Sequence, residues 1–189
     1  MEVQIRSCEP ENFKALLEQL ISIGDASLVA IYIERVSNES LGLALNRLAI
    51  QEAARIFKAA SLDPLVKKQI FEHARMFLAP RSVAFEQEIG VFNEQLAEIY
   101  EASEDWATAA RVLQSIPLES GHRTIELAYK CGIYIRIVQL LLEDDDSVNA
   151  EAYMNRAALI IPDVQDEVLQ LQFLGCQARC FDFRVRHYS

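Results

Sequence analysis

The chain has 189 residues, 51% of them hydrophobic, with four cysteines, three histidines and a formal net charge of -10. That length supplies one sizeable core without disulfide support, and the charge has the wrong sign for a protein that gains affinity from nucleic-acid phosphates. The longest unbroken apolar run, Leu28 to Ile33, is too short to cross a bilayer, and no apolar leader follows Met1.

Six Gly and five Pro are few for a β-rich chain, and nearly every apolar residue falls on helical spacing, so the class reading is all-α. Pro10 opens a helix over 10–23 with Phe13, Leu16, Leu17 and Leu20 on one side. A second follows Gly24 and Asp25, carrying Leu28, Ile31, Tyr32 and Val36 until the polar stretch 37–40. A third, over 41–60, places Leu45, Leu48, Ala49, Ile56 and Phe57 at mixed i+3 and i+4 spacings. Asp63 and Pro64 read as N-cap and first residue of a fourth, whose stripe of Val66, Ile70, Ala74 and Phe77 ends before Pro80.

From there a helix pair is written twice. Phe85, Ile89, Phe92, Leu96 and Ile99 line a first helix, and Trp106, Ala109, Ala110 and Leu113 its shorter partner, closed by Pro117. Leu127, Cys131, Tyr134, Val138 and Leu141 repeat the first role; Ala150, Tyr153, Met154, Ala157 and Ile161 repeat the second, closed by Pro162. Residues 96–113 and 137–154 match at an offset of 41, which sets Asp105 against Asp146, Ala109 against Ala150 and Val112 against Tyr153. Self-similarity at this period marks stacked helix hairpins.

The expected architecture is therefore a right-handed solenoid of TPR-like antiparallel helix hairpins, with N-terminal helical repeats over 1–79 and TPR-like pairs over 80–189. Trp106, Ala109, Ala150 and Tyr153 are its expected structural positions, Trp106 wedged between the helices of its pair. A last first-type helix after Asp163 aligns Leu169, Phe173, Cys176, Cys180 and Phe183. The chain stops where a partner helix should begin, so this repeat reads as truncated and its apolar face as uncovered.

Residues that could carry chemistry are sparse. His73, His122 and His187 form no H-x-H or H-E-x-x-H motif. Cys176, Cys180 and His187 can be drawn as a partial zinc site, but a closed structural site wants four ligands, and the alternative is buried thiols on a helix face. Without a signal peptide the cysteines read as reduced and the compartment as intracellular. Neither a glycine-rich phosphate loop nor a G-x-S-x-G elbow is present, so no catalytic residue, cofactor or metal is expected.

Charge is unevenly placed: residues 82–110 hold seven acids and no Lys or Arg. The run from Glu143 to Asp146 lacks the ligand order of an EF-hand and reads as acids opposing a helix dipole, with Asp146 as cap. Capping uses one or two acids per turn. If the two pairs stack in register, Glu101, Glu104, Asp105, Glu143, Asp144 and Asp145 build an acidic ridge, either a solvated face or a partner-binding edge.

The runs PRSVAFEQE (80–88), LAEIYEASEDWATAARVLQSIPLESG (96–121), LLLEDDDSVNAEAYMNRAALI (140–160) and EVLQLQFLGCQARCFDFR (167–184) together resemble the subunit-four family of the COP9 signalosome. The resemblance implies a noncatalytic scaffold in the complex that removes a ubiquitin-like modifier from cullin-RING ligases, present in cytoplasm and nucleus. It implies a helical-repeat arm that contacts other signalosome subunits and a cullin-RING ligase, with no nucleic acid and no membrane. It also implies a C-terminal PCI winged-helix domain, before which this chain ends, so the chain reads as a fragment or a shortened form. The paralogous arm of the proteasome lid and a generic TPR-type interaction module are the alternatives; an enzyme comes last.

Overall fold

The structure, a computed structural model, describes residue 3 and residues 12–38, 42–119 and 124–188. Nine α-helices and two short 3-10 turns account for the regular elements among the described residues, with no strand. The all-α class follows. The chain falls into two compact units, residues 1–99 and 100–189. Cys8 and the expected helix start at Pro10 lie outside the described residues.

In the first unit α1 (Phe13–Ile23), α2 (Ala26–Val36), α3 (Leu43–Ala59) and α4 (Pro64–Leu78) precede α5 (Glu86–Ala102). Gly24 ends α1 at φ 71°, where its N–H reaches the carbonyls of Leu20 and Ile21, and where any β-carbon would strain the backbone. Asp25 immediately starts α2, its carboxylate accepting the Ser27 N–H at 2.8 Å. Asp63 starts α4 the same way from the Leu65 N–H at 2.8 Å, and Pro64 takes the first helical position, where a missing N–H leaves no bond unmade.

α2 packs against α1, α3 and α4. The rings of Phe57, Phe71 and Phe92, all buried, meet at centroid separations of 6.3, 6.4 and 5.8 Å. Burying each stabilises the fold by roughly 2 kcal/mol, and the inclined rings suit their quadrupoles.

In α2 the expected Leu28 and Ile31 are only half-buried, while Val29 and Ile33 are fully buried, and two further helices differ from the faces the periodicity predicts. In α3, Leu45 and Leu48 are exposed, while Asn46, Ala49, Ile50, Ala53 and Phe57 are buried. The alanines let neighbouring helices approach, and Asn46 is held there by donating from Nδ2 to the Asn38 carbonyl at 2.8 Å. In α4, Phe71 and Leu78 enter the core while Val66 and Phe77 are only half-buried. Both helices carry two overlapping apolar stripes, and period alone does not choose between them.

The second unit contains the end of α5 together with α6 (Trp106–Gln114), α7 (Leu127–Glu143), α8 (Ser147–Ala158) and α9 (Glu167–Tyr188). α7 packs against α6, α8 and α9 and is buried on every side, from Cys131 through Ile133, Ile135 and Ile137 to Leu142. Tyr134 of α7 meets Tyr153 of α8 at 5.9 Å between ring centroids, both lying near the middle of antiparallel neighbours. Ala109 and Ala150 are fully buried, so each helix presents its bare backbone to its neighbours. Trp106 is half-buried at the start of α6, less enclosed than a wedge between two helices would be.

Candidate partner-binding surface

The two acidic turns of the second unit share one backbone. Glu104 and Asp145 both sit at φ 59°, in the left-handed region. The N–H of the following residue closes back across the turn, from Asp105 to the Tyr100 carbonyl at 2.9 Å and from Asp146 to the Leu141 carbonyl at 2.8 Å. The same aspartate then caps the next helix: Asp105 accepts the Thr108 N–H at 3.2 Å, and Asp146 the Asn149 N–H at 3.1 Å. One residue ends a helix with its amide and starts another with its carboxylate.

An aspartate N-cap also recurs in the first unit. Asp25, Asp63, Asp105 and Asp146 are the N-caps of α2, α4, α6 and α8, at intervals of 38, 42 and 41 residues. The signal lies in the sequence as a spaced row of Asp before helical stretches.

Two ion pairs are also repeat-equivalent. Glu101, in the last turn of α5, accepts from Arg136 Nε of α7 at 2.8 Å, and Glu143, the last residue of α7, meets Arg179 of α9 at 2.9 Å. Each joins the end of one first-type helix to the next first-type helix. Of the six acids expected on the ridge, Glu101 and Glu143 are thus engaged by arginine and Asp105 is a cap. Glu104, Asp144 and Asp145 are exposed and make no side-chain hydrogen bond or ion pair among the described residues. Sequence reasoning missed Arg136 and Arg179, whose partners are 35 and 36 residues away.

Those arginines fix a register between α7 and α9. Shifting α7 by 43 residues brings Arg136 onto Arg179, Cys131 onto Leu174, Val138 onto Phe181 and Leu142 onto Val185. All three apolar residues of α7 are buried. On α9 the corresponding side chains are open, with Leu174 56%, Phe181 51% and Val185 66% exposed, and Leu171 continues the stripe at 69%. The opposite face of α9, with Phe173, Cys176 and Cys180, is buried against α7 and α8. These four side chains form an apolar stripe along one face of α9 that is open among the described residues.

Burial pushes the three described thiols upward, Cys176 to about 11, so they stay protonated and are poor ligands and nucleophiles near neutrality. The His187 side chain lies outside what is described. Among the described residues no group of three His, Cys, Asp or Glu is placed to hold a metal ion, and no helix is long and apolar enough to cross a membrane.

The family described as PSMD12/CSN4, N-terminal, matches residues 8–188. The chain is 34% identical over 174 residues to COP9 signalosome complex subunit 4 of Arabidopsis thaliana, a match that covers 92% of this chain and 43% of the relative. It is 33% identical over 174 residues to the protein of the same name in Dictyostelium discoideum, covering 92% and 44%. For that of Drosophila melanogaster the identity is 30% over 179 residues, covering 93% and 44%. The chain therefore spans less than half the length of the curated relatives it matches. With a family match along almost all of its length and homologues that share one name, the chain belongs to the PSMD12/CSN4 N-terminal family.

Proposed function

We propose that the chain is a noncatalytic, substrate-sensing arm of a COP9 signalosome, built as a right-handed solenoid of TPR-like helix hairpins that runs from repeats in 1–79 into 80–189. The observation that carries this is the repeated turn, in which a left-handed residue and a capping aspartate join a long helix to a short one twice, 41 residues apart. The relatives' shared name supports the complex. In this role the open face of α9 packs against other helical elements of the assembly, and Glu104, Asp144 and Asp145 face a cullin-RING ligase whose deneddylation the complex performs in cytoplasm and nucleus. Such an arm changes activity only by contacting two states of the assembly unequally.

Affinity capture with the tagged chain, followed by mass spectrometry, tests the reading. Signalosome subunits are the expected companions. Reversing Glu104, Asp144 and Asp145 to lysine should retain those subunits and the helical spectrum while reducing recovery of a cullin-RING ligase; unchanged recovery removes the ridge. The family description also names PSMD12, and recovery of proteasome-lid subunits instead would favour that paralogous assembly.

A further inference from the structure

A cleft of about 230 Å3 opens where the end of α6 and the loop after it meet α7 and α8. Leu113, Ile116, Leu118 and Ile137 supply apolar lining, and Tyr134, Tyr153, Glu119 and Arg156 supply the polar groups. The Tyr134 hydroxyl donates to the Glu119 carboxylate, which also pairs with Lys130 Nζ at 2.8 Å. These bonds, the one from Lys130 foremost, hold Glu119 below the ordinary carboxylate range. Its charge is already compensated.

Arg156 is different. Its guanidinium carbon lies 4.8 Å from the centroid of the Tyr153 ring, and among the described residues no carboxylate is within ion-pairing distance of it. Lys130, beside the cleft, already meets the one carboxylate of its lining, which leaves Arg156 as the lining cation without an ion pair among the described residues, in a chain whose net charge is -10. Stacking on Tyr153 pre-orients the guanidinium, so less freedom is lost when it binds an anion. The volume is smaller than the roughly 300–1,000 Å3 of a metabolite pocket and suits one large side chain. Tyrosine and arginine are the side chains that most often anchor a protein partner.

We infer that this cleft receives one large apolar side chain from a protein partner, with the carboxylate of a neighbouring acidic residue in that partner held by Arg156. The inference is independent of the assembly proposed above, because it rests on the shape and charge of the cleft alone.

The test is an NMR titration of the 15N-labelled 189-residue chain with N-acetyl-phenylalanyl-aspartyl amide and with the otherwise identical asparagine peptide. The aspartyl peptide should give saturable amide shifts clustered around Tyr134, Tyr153 and Arg156. Its Kd should be about tenfold lower than that of the asparagine peptide, as for a hydrogen bond to a charged group. Arg156→Gln, an exposed substitution that should keep the spectrum dispersed, should weaken the aspartyl peptide by a similar factor and leave the asparagine peptide unchanged, because both changes remove one contact. Tyr153→Ala should abolish the clustered shifts. Absence of saturable shifts, shifts centred elsewhere, or equal affinity for the two peptides would each overturn the inference.

Discussion

Glu104 and Asp145 occupy the same left-handed backbone conformation, each one residue ahead of the aspartate that caps the next helix. Non-glycine residues reach that region at a cost of roughly 1 kcal/mol, and Gly24 shows the turn between α1 and α2 meeting the same demand with the residue that avoids it. Glu104→Gly and Asp145→Gly should therefore each raise unfolding stability by up to about 1 kcal/mol, whereas Glu104→Val should lower it. Urea denaturation of the three variants checks the sign.

The ion pairs predict an order of sensitivity. Glu101 and Arg136 are about three-quarters buried, at 27% and 25% exposure, while Glu143 and Arg179 are nearly half-exposed at 47% and 43%. Glu101→Lys should cost about 1–2 kcal/mol and Glu143→Lys under about 1 kcal/mol, since solvent screens the outer pair. Glu104→Lys should stay within about 0.5 kcal/mol. Equal losses at Glu101 and Glu104 would show that the pair to Arg136 contributes nothing.

Ala150 has no exposed surface, and Ala109 is its counterpart one repeat earlier. A larger side chain at either position must push a helix away, so Ala150→Leu should cost about 1–3 kcal/mol. Thermal unfolding followed by circular dichroism would register that as a lowered Tm with the helical signal retained.

The buried thiols give a pH dependence. Burial pushes the Cys176 thiol up to about 11 in the folded chain from 9.0 for the free side chain, desolvation being the main cause. The folded state thus prefers the protonated thiol: its stability contribution is fully present below pH 9 and declines as pH rises from there through 11. Denaturant midpoints should fall over that window, less steeply in Cys176→Ala, and thiol-reactive reagents should label Cys176 slowly at pH 7.5 in the native chain.

The helical class and the positions of most helices were legible because breakers and caps are local. Asp63-Pro64 announces the start of α4, and Gly24-Asp25 the turn before α2, without help from distant residues. The buried face of α3 was not legible, because its choice of Asn46 and the alanines over Leu45 and Leu48 depends on neighbouring helices. The candidate ridge was half legible for the same reason. Its acids could be read from the turns, but Arg136 and Arg179 lie more than thirty residues from Glu101 and Glu143, and nothing local pairs them. The enclosure of Trp106 was not legible either, because a bulky residue at the first position of a helix can still face solvent on one side.

The repeated turn separates what holds the helix pair together from what it leaves open to solvent. Its conformation is secured by amide-to-carbonyl bonds and by one capping carboxylate, so the side chains of Glu104, Asp144 and Asp145 carry no structural duty. Such positions can change charge or hydrogen-bonding character while the hairpin they ride on stays intact, so long as the residues at 104 and 145 tolerate the left-handed backbone. The charge along this edge is thus set independently of the shape beneath it.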